Sequence, residues 1–150
     1  MSKILTVNGV PYEVPTEGSN PPWGDEIIDW ASGITDVVGT LVSSTDILNS
    51  VFTIANNQTS SAEIAGFAFD RALVRSFVAE YSIYRSGATP KVENGTLTGQ
   101  YDGSSWTMMR ESDGYNGVDF TISSLGKISY TSSNVGTSGL IRYRARTFSQ

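Results

Sequence analysis

Residues 73–85 read LVRSFVAEYSIYR, the longest stretch of the chain in which apolar and polar side chains alternate. One side of the alternation carries Leu73, Phe77, Ala79, Tyr81 and Ile83, and the other carries Ser76, Glu80 and Ser82. Successive side chains of a β-strand point to opposite faces of a sheet. The stretch therefore predicts a long strand with one buried face and one exposed face.

The same period of two continues on both sides of this strand. Further strands are predicted at Val51–Ala55, Glu63–Phe69, Thr96–Tyr101, Trp106–Glu111, Val118–Ile122, Lys127–Tyr130 and Leu140–Phe148. Turn signals separate them at Asn94-Gly95, Asp102-Gly103, Asn116-Gly117 and Leu125-Gly126. Short strands at this spacing are typical of an antiparallel sandwich. We therefore predict a mainly β protein whose residues 49–150 form an antiparallel β-sandwich or jelly-roll-like domain.

Residues 1–19 predict a hairpin arm followed by a linker. Two extended runs flank Asn8-Gly9, a dipeptide that accepts positive φ at both positions of a two-residue turn. Pro11 cannot donate a ladder hydrogen bond, so its strand should lie at an edge or in a free arm.

Residues 20–48 predict one amphipathic helix. Asn20 is a suitable N-cap, and Pro21 suits the first helical position because its missing N–H costs nothing there. The apolar positions follow a heptad pattern: Trp23, Ile27, Trp30, Ile34, Val37, Leu41 and Leu48. Gly33 and Gly39 in this helix each cost about 1 kcal/mol relative to alanine, so the helix must pack on something.

Two interpretations of this helix remain open. It could lie on the sheet of its own chain, as amphipathic helices generally do. Alternatively, copies of it could meet on a symmetry axis, and isoleucine at a positions favours three strands over two. We take the first six heptad residues as a candidate oligomer interface: Trp23, Ile27, Trp30, Ile34, Val37 and Leu41.

Composition excludes several classes of function. The chain has no cysteine and no histidine, which removes thiolate chemistry and the commonest general base and metal ligand. Residues 1–50 hold one lysine and seven acidic residues, whereas residues 51–150 hold nine basic and eight acidic residues. This balance lacks the basic field that binds nucleic acid. The apolar runs are too short to span a membrane, and no cofactor or metal is predicted.

Arginines alternate along the last predicted strand. Arg142, Arg144 and Arg146 fall on one face, and Ile141, Tyr143 and Ala145 fall on the other. One interpretation is an anion-binding ladder. The favoured one is charge pairing with Glu80, Glu93, Asp119 or the acidic helix of a neighbouring subunit.

Aromatic and oxygen-rich residues near the middle of the chain suggest two further sites. Trp106 and Tyr115 could stack on sugar rings, although a tryptophan in a strand of period two is more often in the core. Residues 111–119 cluster oxygen atoms as a calcium loop does, but they lack the EF-hand spacing and fit an ordinary turn. With no phosphate loop and no nucleophile elbow, an enzyme is not predicted.

Several segments together resemble a β-rich module of tailed-bacteriophage virion proteins. They are Val74–Arg85, Glu93–Leu97, Ser105-Trp106, Gly117–Phe120, Gly126–Asn134 and Ile141–Arg146. The front is similar to openings of the same kind of protein, through Val7–Pro15, Trp23-Gly24-Asp25 and Trp30. The resemblance implies a structural component exposed on a virion, usually as a homotrimer.

From these observations we expect a non-enzymatic phage structural protein, made in the host cytoplasm and located on the virion surface. The expected form is a homotrimeric head decoration protein or short fibre. Its expected neighbours are the major capsid protein or a tail or fibre protein. The alternative is a fibre-tip adhesin module that binds host surface glycan through Trp106 and Tyr115.

Overall fold

A computed structural model describes residues 45–149 in full and residues 3–7 and 10–14 as backbone strands. The chain divides into two units, Met1–Ser43 and Ser44–Gln150. In the first unit, β1 (Lys3–Val7) pairs antiparallel with β2 (Val10–Val14), and Val7 lies opposite Val10. This register is the one that a two-residue connection at Asn8-Gly9 predicts. Residues 15–44 lie outside the described residues, so the predicted helix and its six interface positions stay a prediction.

The second unit consists of antiparallel strands in two sheets. In chain order the strands are β3 (Ile47–Ile54), β4 (Ala62–Ala68), β5 (Val74–Arg85), β6 (Lys91–Tyr101), β7 (Trp106–Asp113), β8 (Val118–Ile122), β9 (Lys127–Ser132) and β10 (Gly139–Ser149). One sheet has the order β3-β10-β5-β6-β7, and the other has the order β4-β9-β8. The predicted mainly β, antiparallel character is confirmed. Within the described ranges no helix is long and apolar enough to cross a membrane.

Aromatic rings join the two sheets across one hydrophobic core. Phe67 of β4 stacks on Tyr143 of β10 with ring centroids 4.2 Å apart. Tyr81 of β5 meets Phe120 of β8 edge to face at 5.1 Å. Phe69, directly after β4, stacks on Phe77 of β5 at 3.8 Å. Each such pair adds about 0.5–1.5 kcal/mol beyond the burial of its surface, so ring contacts help to fix the two layers beside the aliphatic residues of the same core.

The structure differs from the sequence prediction in three places: the end of the predicted helix, the start of β5 and the predicted turn at Asn94-Gly95. The helix predicted over 20–48 has to end before Ile47, where β3 begins, and Leu48 is an exposed strand residue. The physical reason is pairing to β10, because Ile47 lies opposite Ala145 and the Asp46 carboxylate accepts hydrogen bonds from Thr147.

At the start of β5, Leu73 is exposed and Val74 takes the buried position. The register between β5 and β10 shifts at this point, between Phe148 and Ser149. The shift moves the apolar face by one residue, because strand side chains alternate strictly between the two faces.

The predicted turn at Asn94-Gly95 is wrong, because both residues lie inside β6. The backbone of Gly95 does not adopt a positive φ. The glycine instead allows a close approach: a Cβ there would lie 2.5 Å from the carbonyl oxygen of Glu111 and 2.6 Å from the Tyr81 hydroxyl.

Candidate functional site

The outward-facing side chains of the five-stranded sheet form a surface that we call the outer face. The strand registers place these side chains in rows across β10, β5, β6 and β7. Three consecutive rows are Arg142–Ser82–Asn94–Asp113, Arg144–Glu80–Thr96–Glu111 and Arg146–Val78–Thr98–Met109. Arginines therefore line one side of the outer face, and acidic residues line the opposite side.

The predicted alternation of the arginine ladder is confirmed. Arg142, Arg144 and Arg146 are exposed, whereas Ile141, Tyr143 and Ala145 are buried. Arg144 Nε donates to the carboxylate of Glu80, its cross-strand neighbour, so one of the predicted pairings is present. Both groups are more than half exposed, and such pairs contribute about 0–1 kcal/mol.

The other two arginines have different neighbours. Arg142 lies opposite Ser82 on β5 and Val51 on β3, and Arg146 lies opposite Val78. Neither forms an ion pair with any residue that the structure describes. Glu93 and Asp119, the other predicted partners within the chain, bond to Arg110 instead. The ladder thus has charge that the described part of its own chain does not neutralise.

The outer face also exposes apolar side chains. Leu140, Tyr84 and Val92 are adjacent on three neighbouring strands and are 43%, 49% and 53% exposed. Val51, Val78, Met109 and Phe148 lie on the same face. Large apolar side chains grouped on one face of a sheet mark a surface that another molecule covers. The outer face is therefore the candidate interaction surface.

A buried polar cluster lies between the two sheets and consists of Tyr81, Glu93, Arg110 and Asn116. Glu93 is 0% exposed. Its carboxylate accepts from the Tyr81 hydroxyl at 2.7 Å, from the backbone N–H of Asn116 at 3.1 Å and from the Arg110 guanidinium. Both oxygens of the carboxylate thus accept hydrogen bonds.

Arg110 completes this Glu93 cluster from β7. Its Nε donates to the Tyr81 hydroxyl at 2.9 Å, and its Nη1 donates to the carbonyl oxygen of Val118 at 2.8 Å. The guanidinium also lies over the rings of Tyr81 and Phe120, 5.9 and 5.3 Å from their centroids. These contacts connect β5, β6, β7 and β8, so the cluster joins the two sheets at one end.

The Glu93 cluster raises the pKa of Tyr81. Burial, followed by the hydrogen bond to Glu93, raises the pKa of Tyr81 from 10.0 to about 12. Both effects disfavour a phenolate, the first because charge is costly away from water and the second because only the protonated hydroxyl can donate to Glu93. Tyr81 is therefore a neutral hydrogen-bond donor across the physiological pH range, and the cluster holds the sheets together.

Arg85 forms a second buried polar contact at the end of β5. The residue is 1% exposed. Its guanidinium donates to the carbonyl oxygens of Asn116, Ser133 and Thr137 at 2.9–3.1 Å and to Asn56 Oδ1 at 2.8 Å. Burial lowers the pKa of Arg85. One side chain thereby connects the loops that follow β3, β7 and β9.

The two predicted glycan contacts lie in different environments. Trp106 is only 8% exposed and packs against Phe77 and Tyr101 at 5.8 and 5.3 Å, so its ring belongs to the core and is not available to stack on a sugar. Tyr115 is 63% exposed, and its hydroxyl lies 3.5 Å from Asp119 Oδ2.

The oxygen-rich loop that contains Tyr115 has ordinary turn geometry. Gly114 and Gly117 adopt positive φ, as the turn interpretation of residues 111–119 requires. Among the residues with described positions, no group of three or more acidic side chains is placed to hold a metal ion.

From the sequence we did not predict that the side chains of Glu93, Arg110 and Arg85 point into the protein. The alternation of side chains along each strand would have indicated these inward positions. Arg85 continues the buried series of Phe77 to Ile83 on β5, and Arg110 continues that of Trp106 on β7. Charged residues at inward positions of a strand predict buried, paired charges.

No protein-family model and no curated protein sequence matches the chain. Among solved structures, the tailspike protein of an Acinetobacter phage is similar over 68% of this chain, with 14% sequence identity and a TM-score of 0.46. The matched region is 21% of that tailspike, so this chain spans about a fifth of the tailspike's length. A likeness this weak establishes neither a shared fold nor a shared activity.

Proposed function

We propose that the chain is a non-enzymatic structural component of a bacteriophage virion that assembles as a homotrimer on the particle surface. The role that fits best is a head decoration protein or a short fibre, next to the major capsid protein or a tail or fibre protein. The observation that carries the proposal is the outer face. It combines the exposed apolar row Leu140–Tyr84–Val92 with Arg142 and Arg146, which no described residue neutralises, as expected of a protein whose work is assembly.

The buried charges support a structural role over a catalytic one. Glu93 is bonded by Tyr81, Arg110 and Asn116, and Arg85 is bonded by four oxygen atoms. A catalytic acid or base needs a proton that a substrate can reach. Both side chains are 1% exposed or less and point into the protein. The resemblance of the strand segments to phage virion modules agrees with the structural role.

Sedimentation of the full chain tests the oligomeric state. We expect a species of three times 16.1 kDa. Ile34→Asp should disperse it, since a charge forced into a buried seam costs several kcal/mol. A chain that stays monomeric at micromolar concentration would contradict the trimer.

Particle occupancy tests the virion role. A density map of the particle should contain this chain at its surface, and deleting residues 1–19 should lower its occupancy if the hairpin arm attaches it. Full occupancy of the deletion variant would remove attachment by the arm. Absence of the chain from purified particles would remove the virion role.

One observation supports the second candidate, a glycan-binding fibre tip. Tyr115 is 63% exposed and its hydroxyl lies 3.5 Å from Asp119 Oδ2, so its ring could stack on a sugar while its polar end stays hydrogen-bonded. The purified chain should then bind a glycan array or host cells, and Tyr115→Ala should abolish the binding. Leu125→Ala is a suitable control, because it removes another exposed apolar side chain and lies between β8 and β9, outside the outer face.

A further inference from the structure

We propose that the outer face is the contact between copies of this chain, and that Arg142 and Arg144 of one copy meet Asp113 and Glu111 of the next around an axis parallel to the strands. The inference rests on the proposed homo-oligomer and names the surface that forms it. It concerns only residues 45–149.

The arginines of β10 share rows with the acidic residues of β7 but cannot meet them within one chain. Arg142 and Asp113 occupy the same row, as do Arg144 and Glu111. β10 and β7 are separated by β5 and β6. Three strand spacings amount to about 14 Å, which is well beyond hydrogen-bond reach. Neither Glu111 nor Asp113 forms an ion pair within the described part of the chain, so another copy can supply the cation for each.

Symmetry decides which residues meet. Rotation about an axis parallel to the strands keeps the height of each residue along the strand. When β10 of one copy approaches β7 of the next, Arg142 meets Asp113 and Arg144 meets Glu111. Arg146 then meets Met109, whose side chain can pack on the arginine stem.

The alternative two-fold arrangement is unfavourable. A two-fold axis that lies in the plane of the outer face and runs perpendicular to the strands would place β10 of one copy on β10 of the other. It would place the arginines of one copy against those of its partner, and like charges in contact cost several kcal/mol.

The charge balance of the outer face favours a second copy as the occupant. The three rows hold three arginines and three acidic residues, Glu80, Glu111 and Asp113. An acidic partner would satisfy only one side of this face, whereas an identical face satisfies both. The row Leu140–Tyr84–Val92 supplies apolar surface beside the charged rows.

Charge reversal in the full chain tests the contact. Arg142→Glu and Asp113→Arg should each weaken association about tenfold or more, measured by sedimentation across a concentration series. The double variant Arg142→Glu/Asp113→Arg should restore wild-type association. Restoration is the decisive result, because the two positions are too far apart to compensate within one chain.

Matched controls separate the contact from a folding defect. Lys127→Glu makes the same charge change on the three-stranded sheet, where Lys127 pairs with Glu63, and should leave association unchanged. Near-ultraviolet circular dichroism checks that each variant folds. The milder changes Arg142→Gln and Asp113→Asn should weaken association less than charge reversal does.

Mixing the two single variants reports the symmetry. In a two-fold dimer, both contacts of the mixed species join opposite charges, so mixing should restore association fully. A three-fold ring has an odd number of contacts and must keep at least one like-charge contact, so mixing should restore association only in part. Either result supports the contact and shows whether the assembly is a two-fold dimer or a three-fold ring.

Other outcomes overturn the inference. If the wild type is an oligomer and the single variants keep its size, then the outer face is not the contact between copies, and a segment within residues 15–44 or another partner covers it. The proposed homotrimer would stand in that case. If the wild type is a monomer at every concentration, both the inference and the homotrimer fail, while the particle map still tests the virion role.

Discussion

Arg110→Met should destabilise the chain more than Glu93→Gln does, although both changes break the same buried ion pair. Glu93 is 0% exposed, whereas the side chain of Arg110 is 20% exposed and lies 3.4 Å from Asp119. Without Glu93, the guanidinium still has Asp119 and solvent. Without Arg110, the carboxylate stays buried with only the Tyr81 hydroxyl and the Asn116 N–H as donors.

The magnitudes follow from these surroundings. Breaking a buried ion pair by removing one partner costs about 3–5 kcal/mol. We expect Arg110→Met at or above about 5 kcal/mol, because it leaves a buried carboxylate without a cation. We expect Glu93→Gln near about 3 kcal/mol, because the amide oxygen can still accept a hydrogen bond.

The double variant Glu93→Gln/Arg110→Met should be more stable than Arg110→Met alone, because it removes the uncompensated charge. Because the two single costs add to about 8 kcal/mol and the double variant should cost less than about 5 kcal/mol, the cycle of four proteins gives a coupling of at least about 3 kcal/mol. Urea unfolding supplies the free energies, at one protein concentration because association adds to apparent stability. Trp106 in the core gives the fluorescence signal.

Two results would refute this reasoning. Arg110→Met within about 1 kcal/mol of the wild type would mean that water reaches Glu93. Additive costs in the double variant would mean that Glu93 and Arg110 act independently and that their short contact is not a stabilising pair.

Three further predictions concern other buried groups. The raised pKa of Tyr81 favours its protonated form in the folded state, so the stabilisation that it gives is complete below pH 10.0 and is lost toward pH 12. Between these pH values, urea titrations should show that the free energy of unfolding falls by an extra amount of about 1.4 kcal/mol per pH unit, the value of one pKa unit. Tyr81→Phe should lack this extra fall. Gly99→Ala should destabilise by about 3 kcal/mol or more in calorimetry, because its Cβ would lie 2.0 Å from Phe77 Cε1; an unchanged melting temperature would refute the close approach. Arg85→Met should cost at least about 3 kcal/mol and speed hydrogen exchange in the three loops that Arg85 connects, whereas equal exchange rates would show that the loops hold without it.

Local alternation predicted most of the strands correctly. The inward series of β5 and the arginine ladder of β10 follow directly from a period of two, since each long strand has one buried face. Boundaries were less predictable. Leu48 fits the heptad repeat of the predicted helix, but pairing to β10 places it in a strand, and that partner lies about a hundred residues away in the chain.

The environment of single residues depends on contacts that no local pattern contains. Asn94-Gly95 has the composition of a turn, yet Gly95 serves to let β6 approach Tyr81 and Glu111. Trp106 looks the same in sequence whether it packs in a core or stacks on a sugar. The rows that place Arg142 level with Asp113 depend on three separate strand registers. Such registers follow from the assembled sheet.

The position of β10 between β3 and β5 has a consequence for biosynthesis. β10 follows every other described strand in the sequence, yet it pairs with both β3 and β5. A nascent chain that has not yet released β10 exposes two unpaired strand edges, and open edges invite aggregation. Contacts between residues so distant in sequence also form slowly. The large sheet can therefore close only after β10 has left the ribosome, and a chain cut short before β10 would lack the strand that joins β3 to β5.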